Sequence, residues 1–152
     1  MIILFLLNTN NSIFNIPTNT KIIEATFVET LLYDKESQFF EGKIFLKKDG
    51  FKIYVFKPDS QLIIGNKVLE IYTSDGETLT MDNPFNISAI FFHPEDEFSI
   101  LKRTKTDYYL MPRDTTSIKK ICLSLIDKMP YRISVNFEGS KAIFYLRNYR
   151  IH

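Results

Sequence analysis

Short runs of alternating apolar and polar residues, separated by turn-forming residues, fill most of this chain. In the run 40–47, Phe40, Ile44 and Leu46 share one parity, whereas charged side chains occupy much of the other. Asp-Gly pairs at 49–50 and 75–76 are typical of tight turns between such runs. Because side chains alternate across a strand, the pattern predicts consecutive antiparallel strands with one apolar face and one solvated face.

The same pattern continues along the chain with one helical interruption. Strands are predicted near 24–33, 39–48, 51–56, 61–65, 68–73, 78–81, 97–103, 107–111, 118–126, 131–137 and 141–147. The interruption is a helix over 84–92, with Asn83 as its cap, Pro84 in its first turn and Pro94 beyond its end. It is apolar nearly all round and must be buried, as a plain core helix or as a lid. The predicted lid residues are Phe85, Ile87, Ile90, Phe91 and Phe92.

The predicted fold is mainly β: an antiparallel sheet of about ten or eleven strands, curled into a half-open barrel with a short helical lid. Strand parity assigns twelve residues to its inner face. They are Phe40, Ile44, Leu46, Phe51, Ile53, Val55, Leu62, Ile64, Leu69, Ile71, Leu79 and Met81. Such a sheet either packs solid or leaves a hollow that holds an apolar ligand, and parity alone does not separate the two.

Composition and charge exclude several functional classes. A chain of 152 residues with 45% hydrophobic residues is one globular domain, and a net charge of +1 provides no electrostatic footprint for nucleic acid. Cys122, His93 and His152 have no metal-ligand spacing, and the acidic run 95–97 is typical of a solvated loop. With no phosphate-binding loop either, we predict no enzyme, metal or cofactor, and a monomer.

The N-terminal residues follow a different pattern. Residues 1–7 are apolar but too few to span a bilayer, and no basic region or cleavage site accompanies them. They are either the core of a clipped signal peptide or a hydrophobic strand. Residues 8–22 are rich in Asn and Thr without helical period. We therefore divide the chain into an irregular segment, 1–23, and a single domain, 24–152.

Two stretches of the chain, Ala25–Tyr72 and Asp107–Arg113, resemble a known family. The first contains the strand Gly42–Lys48 and the turn and strand that follow Ile63, and the second, Asp107–Arg113, closes on Leu-Met-Pro-Arg. These segments occur in the order found in the LolA-type outer-membrane lipoprotein carriers. The resemblance implies a periplasmic, chaperone-like protein whose cavity binds lipid or lipoprotein acyl chains. Its partners would be an inner-membrane releasing transporter and an outer-membrane acceptor. The family begins with an amphipathic helix, which this chain lacks or shortens.

The resemblance also singles out Lys48. This residue falls where the family has an arginine that bonds to carbonyls of the lid helix, a contact we call the latch. Lysine keeps the charge but loses the planar fork of donors, and Asp49 replaces the family's proline. Lys48 is thus either a weaker latch or a solvated strand-end lysine.

We conclude from the sequence that the chain is a lipid or lipoprotein carrier that delivers its cargo toward the outer membrane. The alternative is a non-enzymatic module of the same fold that senses lipoproteins or binds another protein. The sequence identifies neither the cargo nor the donor and acceptor.

Overall fold

The computed structural model describes residues 14–83, 85–114 and 117–152, and about two thirds of them belong to strands. The strands are β1 Ile22–Tyr33, β2 Glu36–Lys47, β3 Gly50–Lys57, β4 Gln61–Gly65, β5 Val68–Thr73, β6 Thr78–Asp82, β7 Phe98–Arg103, β8 Asp107–Pro112, β9 Ile118–Ile126, β10 Met129–Phe137 and β11 Ser140–Ile151. The two helices between β6 and β7 are α1, Ile87–Phe92, and α2, Pro94–Glu97.

All eleven strands form one antiparallel sheet in the order β6-β5-β4-β3-β2-β1-β11-β10-β9-β8-β7. The first and last strands pair at its centre, where His152 and Ile22 exchange backbone hydrogen bonds of 2.9 and 3.2 Å. β6 and β7 are the two edges and do not pair, so the sheet is not closed into a barrel. The predicted fold class is therefore confirmed.

Two glycines on the concave face allow aromatic rings to lie flat against the sheet. Gly42 of β2 is directly opposite Phe27 of β1, and Gly65 of β4 is directly opposite Phe51 of β3. A Cβ atom at Gly65 would overlap the Phe51 ring, and one at Gly42 would overlap the carbonyl oxygen of Tyr54. The register of β2 against β3 also shifts just before Gly42. Glycine and a bulge together are a known means of bending a sheet.

α1 is shorter than predicted and begins later. Asn86, not Asn83, is its N-cap residue, and Ile87 is its first residue. Asn83 instead accepts a hydrogen bond of 3.1 Å from the backbone amide of Phe85, while Pro84 lies outside the described residues. A helix ends before Pro94, as predicted, but the proline also starts the short helix α2.

The core lies between α1 and one part of the concave face. Ile90 and Phe91 of α1 are fully buried, as are Ile44 and Leu46 of β2 beneath them. Phe14 joins this core from the N-terminal segment, with its ring centroid 5.5 Å from that of Phe91. Residues 1–13, including the apolar run 1–7, lie outside the described residues. In the part of the chain that is described, no helix has the length and apolar character needed to cross a membrane.

We expect Gly42→Ala to lower the free energy of unfolding by about 1–3 kcal/mol, because the added methyl group meets backbone that cannot move without displacing β3. Gly65→Ala should cost less, because the ring of Phe51 can turn away. Urea unfolding of the two variants and the wild type measures this order. A Gly42→Ala protein as stable as the wild type would contradict it.

Candidate functional site

A cavity of about 430 Å³ lies between the concave face and the segment that leads into α1. Its wall is mostly aliphatic and aromatic, with Glu29, Gln61 and Asn83 as the polar exceptions. The apolar lining residues are Phe27, Leu31, Phe40, Phe51, Ile53, Val55, Ile63, Leu69, Ile71, Met81, Phe85, Ile87, Phe137, Ala142 and Phe144. Volume and lining are within the range of small-molecule sites, which is roughly 300–1,000 Å³.

The cavity exists because α1 is too short to cover the sheet. A helix of six residues is about 9 Å long, whereas a strand of twelve residues such as β2 extends about 40 Å. Beneath the helix, Ile44 and Leu46 are fully buried; farther along the same strand, Phe40 is only half-buried and faces the cavity. The uncovered part of the inner face is the wall of the site.

Most of the predicted inner-face residues are on the concave face. Those that line the cavity are Phe40, Phe51, Ile53, Val55, Leu69, Ile71 and Met81. Among the predicted lid residues, Phe85 and Ile87 line the cavity, Ile90 and Phe91 belong to the core, and Phe92 packs against that core while half-exposed.

Five of the twelve predicted inner-face residues do not line the cavity. Ile44 and Leu46 belong to the core beneath α1, and the structure places the other three elsewhere. In β4 the inward residues are Gln61 and Ile63, so Leu62 and Ile64 project from the opposite face of the sheet. The run Leu62–Ile64 is continuously apolar and has no alternation from which parity can be assigned. Leu79 is opposite Ile71 on the edge strand β6, but it is 50% exposed and does not line the cavity.

The predicted latch is not formed. Lys48 lies exposed in the turn after β2, and in the described residues its ammonium group makes no hydrogen bond to the helix. Instead, side chains of α1 and of His93, which follows it, contact backbone carbonyl oxygens in and just after this turn. Ser88 donates from its buried Oγ to the carbonyl oxygen of Gly50 at 2.8 Å, and His93 Nε2 lies 3.0 Å from the carbonyl oxygen of Lys48. Lysine at this turn is free to point into water because side chains of α1 and of the residue that follows it make the contact.

Glu29 is the feature that the sequence analysis missed. It continues the inward parity of Ala25 and Phe27 in β1, and its carboxyl group faces the cavity. No hydrogen bond or ion pair reaches this carboxyl from the described residues. Burial in the apolar wall raises the pKa of the Glu29 carboxyl to about 7. The sequence did contain a signal for it: a charged residue at a strand position whose parity is otherwise apolar.

No three His, Cys, Asp or Glu side chains come together as a possible metal site within residues 14–83, 85–114 and 117–152. Cys122 is half-buried on the outward parity of β9, next to Tyr109, and burial raises the pKa of its thiol. A thiol with a raised pKa is a poor nucleophile at neutral pH. The cavity is therefore the site with the clearest capacity for a ligand.

Two solved structures share this architecture over most of the chain. A LolA superfamily protein from Nitrosomonas europaea superposes with a TM-score of 0.58 at 9% identity, covering 98% of this chain and 93% of that protein. A DUF1329 family protein from Desulfovibrio piger superposes with a TM-score of 0.54 at 12% identity, covering 88% and 86%. The chain has a LolA-like fold.

At these identities the similarity establishes the LolA-like fold alone. No family model matches the sequence, and no curated protein matches it either. The resemblance seen in the short motifs of β2 and β8 is thus supported at the level of architecture.

We expect Ser88→Ala to lower the free energy of unfolding by about 1–3 kcal/mol, because it leaves the carbonyl of Gly50 without its side-chain donor. Ser60→Ala is the matched control, since Ser60 is exposed and no hydrogen bond of its hydroxyl is found in the described residues. Equilibrium unfolding in urea measures both. Equal stability of the two variants would remove the hydrogen bond as a determinant of helix docking.

The raised pKa of Glu29 also predicts a pH dependence of stability. The unfolded carboxyl titrates near its usual value of 4.5, whereas the folded one keeps its proton until about pH 7. As pH rises between these values, the unfolded state releases its proton first, and the folded state loses up to about 3 kcal/mol in relative stability.

Glu29→Gln should remove this loss, so that the variant gains stability over the wild type as pH rises from about 5 to about 8. Glu41→Gln, which neutralises an exposed carboxylate on the outer face of β2, is the control for a general charge effect. Urea unfolding across this pH range provides the comparison. A pH-independent difference between Glu29→Gln and wild type would mean that the carboxyl is solvated.

Proposed function

We propose that this protein binds a lipid or a lipoprotein acyl chain in the cavity and carries it without chemical change. The observation that carries the proposal is the cavity itself: about 430 Å³, lined by fifteen apolar residues, in a fold that could have packed solid. A hollow of this kind costs the folded state dispersion contacts and cavity free energy. A ligand that fills it restores those contacts.

Burial of an acyl chain would provide the affinity. Each buried CH₂ group contributes about 0.8 kcal/mol, so ten of them contribute about 8 kcal/mol before the entropic cost of binding. The volume lies in the lower half of the usual range of ligand sites, which favours a single chain over several. Release then needs a second apolar surface, such as a membrane or an acceptor protein, rather than an energy source in the protein.

Entry and exit would involve the segment just before α1. Phe85 and Ile87 close one side of the cavity, and the ring of Phe85 lies 6.5 Å from that of Phe144 across it. By contrast, Ser88 is tied to the sheet by its hydrogen bond to Gly50. We therefore expect the Phe85 side of the lid to move while α1 stays docked.

The LolA-like fold supports the finer part of the proposal, a monomeric periplasmic carrier in lipoprotein transport. In that setting a membrane transporter would supply the cargo and an outer-membrane acceptor would receive it. Native mass spectrometry of protein purified without detergent tests for co-purified lipid. Absence of any lipid, together with capture of a protein partner, would favour a sensing or interaction module of the same fold.

Ile71→Trp should weaken binding of a neutral fluorescent acyl ester by at least about tenfold, because the larger ring occupies the cavity. Leu62→Trp is the matched control, since Leu62 lies on the outer face of the neighbouring strand, beside Tyr72. Fluorescence titration gives the dissociation constants, and urea unfolding checks that both variants fold. Equal binding by the two variants would place the ligand outside the cavity.

A further inference from the structure

We propose that the cavity selects apolar molecules that carry a primary ammonium group, and that Glu29 binds this group. The inference rests on the proposed function, since it names the class of ligand that the same cavity takes. It depends on the position of one carboxyl group, on the rings beside it and on the absence of basic residues from the described wall.

Strand register places Glu29 between two aromatic side chains. Its partner in β2 is Phe40 and its partner in β11 is Phe144, and all three residues line the cavity. Phe85 lies against Phe144 from the lid side. A cation near the carboxylate would therefore also lie near phenyl rings, whose quadrupole attracts cations. A carboxylate with flanking aromatic rings is a suitable environment for an ammonium group.

The charges of the wall point to the same class of ligand. Glu29 is the only ionisable residue among the described residues that line the cavity, and no Lys, Arg or His accompanies it. A fatty acid or a phosphate placed here would face a carboxylate with no compensating positive charge, and two like charges in an apolar site disfavour each other. An ammonium group supplies the missing partner.

The other two polar residues of the wall, Asn83 and Gln61, are not equivalent binding groups for a ligand cation. Asn83 donates from its side-chain amide to the carbonyl oxygen of Asn66 at 2.6 Å and accepts from the amide of Phe85, so it serves the fold of its own turn. Gln61 is neutral. Glu29 is thus the polar group of the wall that has no partner among the described residues, and a bound cation would relieve the cost of its burial.

The geometry of an ammonium group suits this position. A primary ammonium has three N–H donors, and one or two of them can bond to the carboxylate while the alkyl chain extends along the apolar wall. Hydrogen bonds between charged partners are about twice as strong as neutral ones. We therefore expect the cavity to bind an amine more tightly than an alcohol of the same chain length.

The experiment compares dodecylamine, dodecanol and dodecanoate as competitors of the neutral fluorescent acyl ester, at a pH of about 8 and below the concentration at which they form micelles. For the wild type we expect dodecylamine to bind at least about tenfold tighter than dodecanol, and dodecanoate to bind most weakly. Glu29→Gln should bind the amine and the alcohol alike. Glu41→Gln, which removes an exposed carboxylate from the outer face, should keep the wild-type preference.

The outcomes separate this inference from the proposed function. If the neutral ester does not bind to the wild type, the carrier proposal fails and this inference fails with it. If the ester binds but amine and alcohol compete equally, or dodecanoate competes best, the carrier proposal stands and the ammonium selection is wrong. Retention of the amine preference by Glu29→Gln would also overturn it. Should Glu29→Gln fail to fold, the wild-type comparison of amine with alcohol decides alone.

Discussion

The burial of one short apolar helix is the constraint on which this structure depends. α1 has no polar face, and a helix of six residues is not stable in water by itself. It must be buried against the sheet, and the sheet must curve to receive it. Gly42 and Gly65 leave no room for a Cβ against the neighbouring strand and the Phe51 ring, and glycine together with a bulge is a known means of bending a sheet. The core forms where helix and sheet meet, and it includes Phe14 from the N-terminal segment.

The same constraint creates the cavity. Because the strands extend well beyond the helix, part of their apolar face has no partner within the described chain. In most small domains such a face would be covered by more side chains or by another element, since interiors pack to crystal-like density. Here the segment around Phe85 crosses it without filling it. Core and cavity are thus two parts of one inner face, distinguished by what lies above them.

The polar contacts of the inner face also differ between the core and the cavity. Above the core, the hydroxyl of Ser88 and the ring of His93 fasten α1 and the residue after it to the turn between β2 and β3, so no lysine latch is needed. At the cavity, the Glu29 carboxyl has no such partner among the described residues, and burial in the apolar wall raises its pKa. Natural proteins accept local destabilisation of this kind mainly at functional sites. The Glu29 carboxyl and the incompletely packed apolar wall line the same cavity.

The features of the fold that could be predicted from the sequence are those that depend on local patterns along the chain. Alternation along each strand is a local property, so the sequence by itself determined the antiparallel sheet, its approximate strand bounds and most of its inward residues. It failed at Leu62 and Ile64, where a continuous apolar run has no parity to read. It also failed at the start of α1, where Asn83 and Asn86 are both plausible caps.

Only the tertiary structure decided where the sheet is covered. Whether Ile44 is solid core and Phe40 is cavity wall depends on the reach of a helix more than forty residues away in sequence, and no local pattern encodes that distance. The direction of the contact between helix and turn was decided in the same way, by donors on α1 and His93 rather than by the charge of Lys48. For Glu29, the sequence determined the face on which it lies. The tertiary structure determined that this face, at this position, is an apolar cavity, because burial depends on every element packed around a residue and not on its own strand.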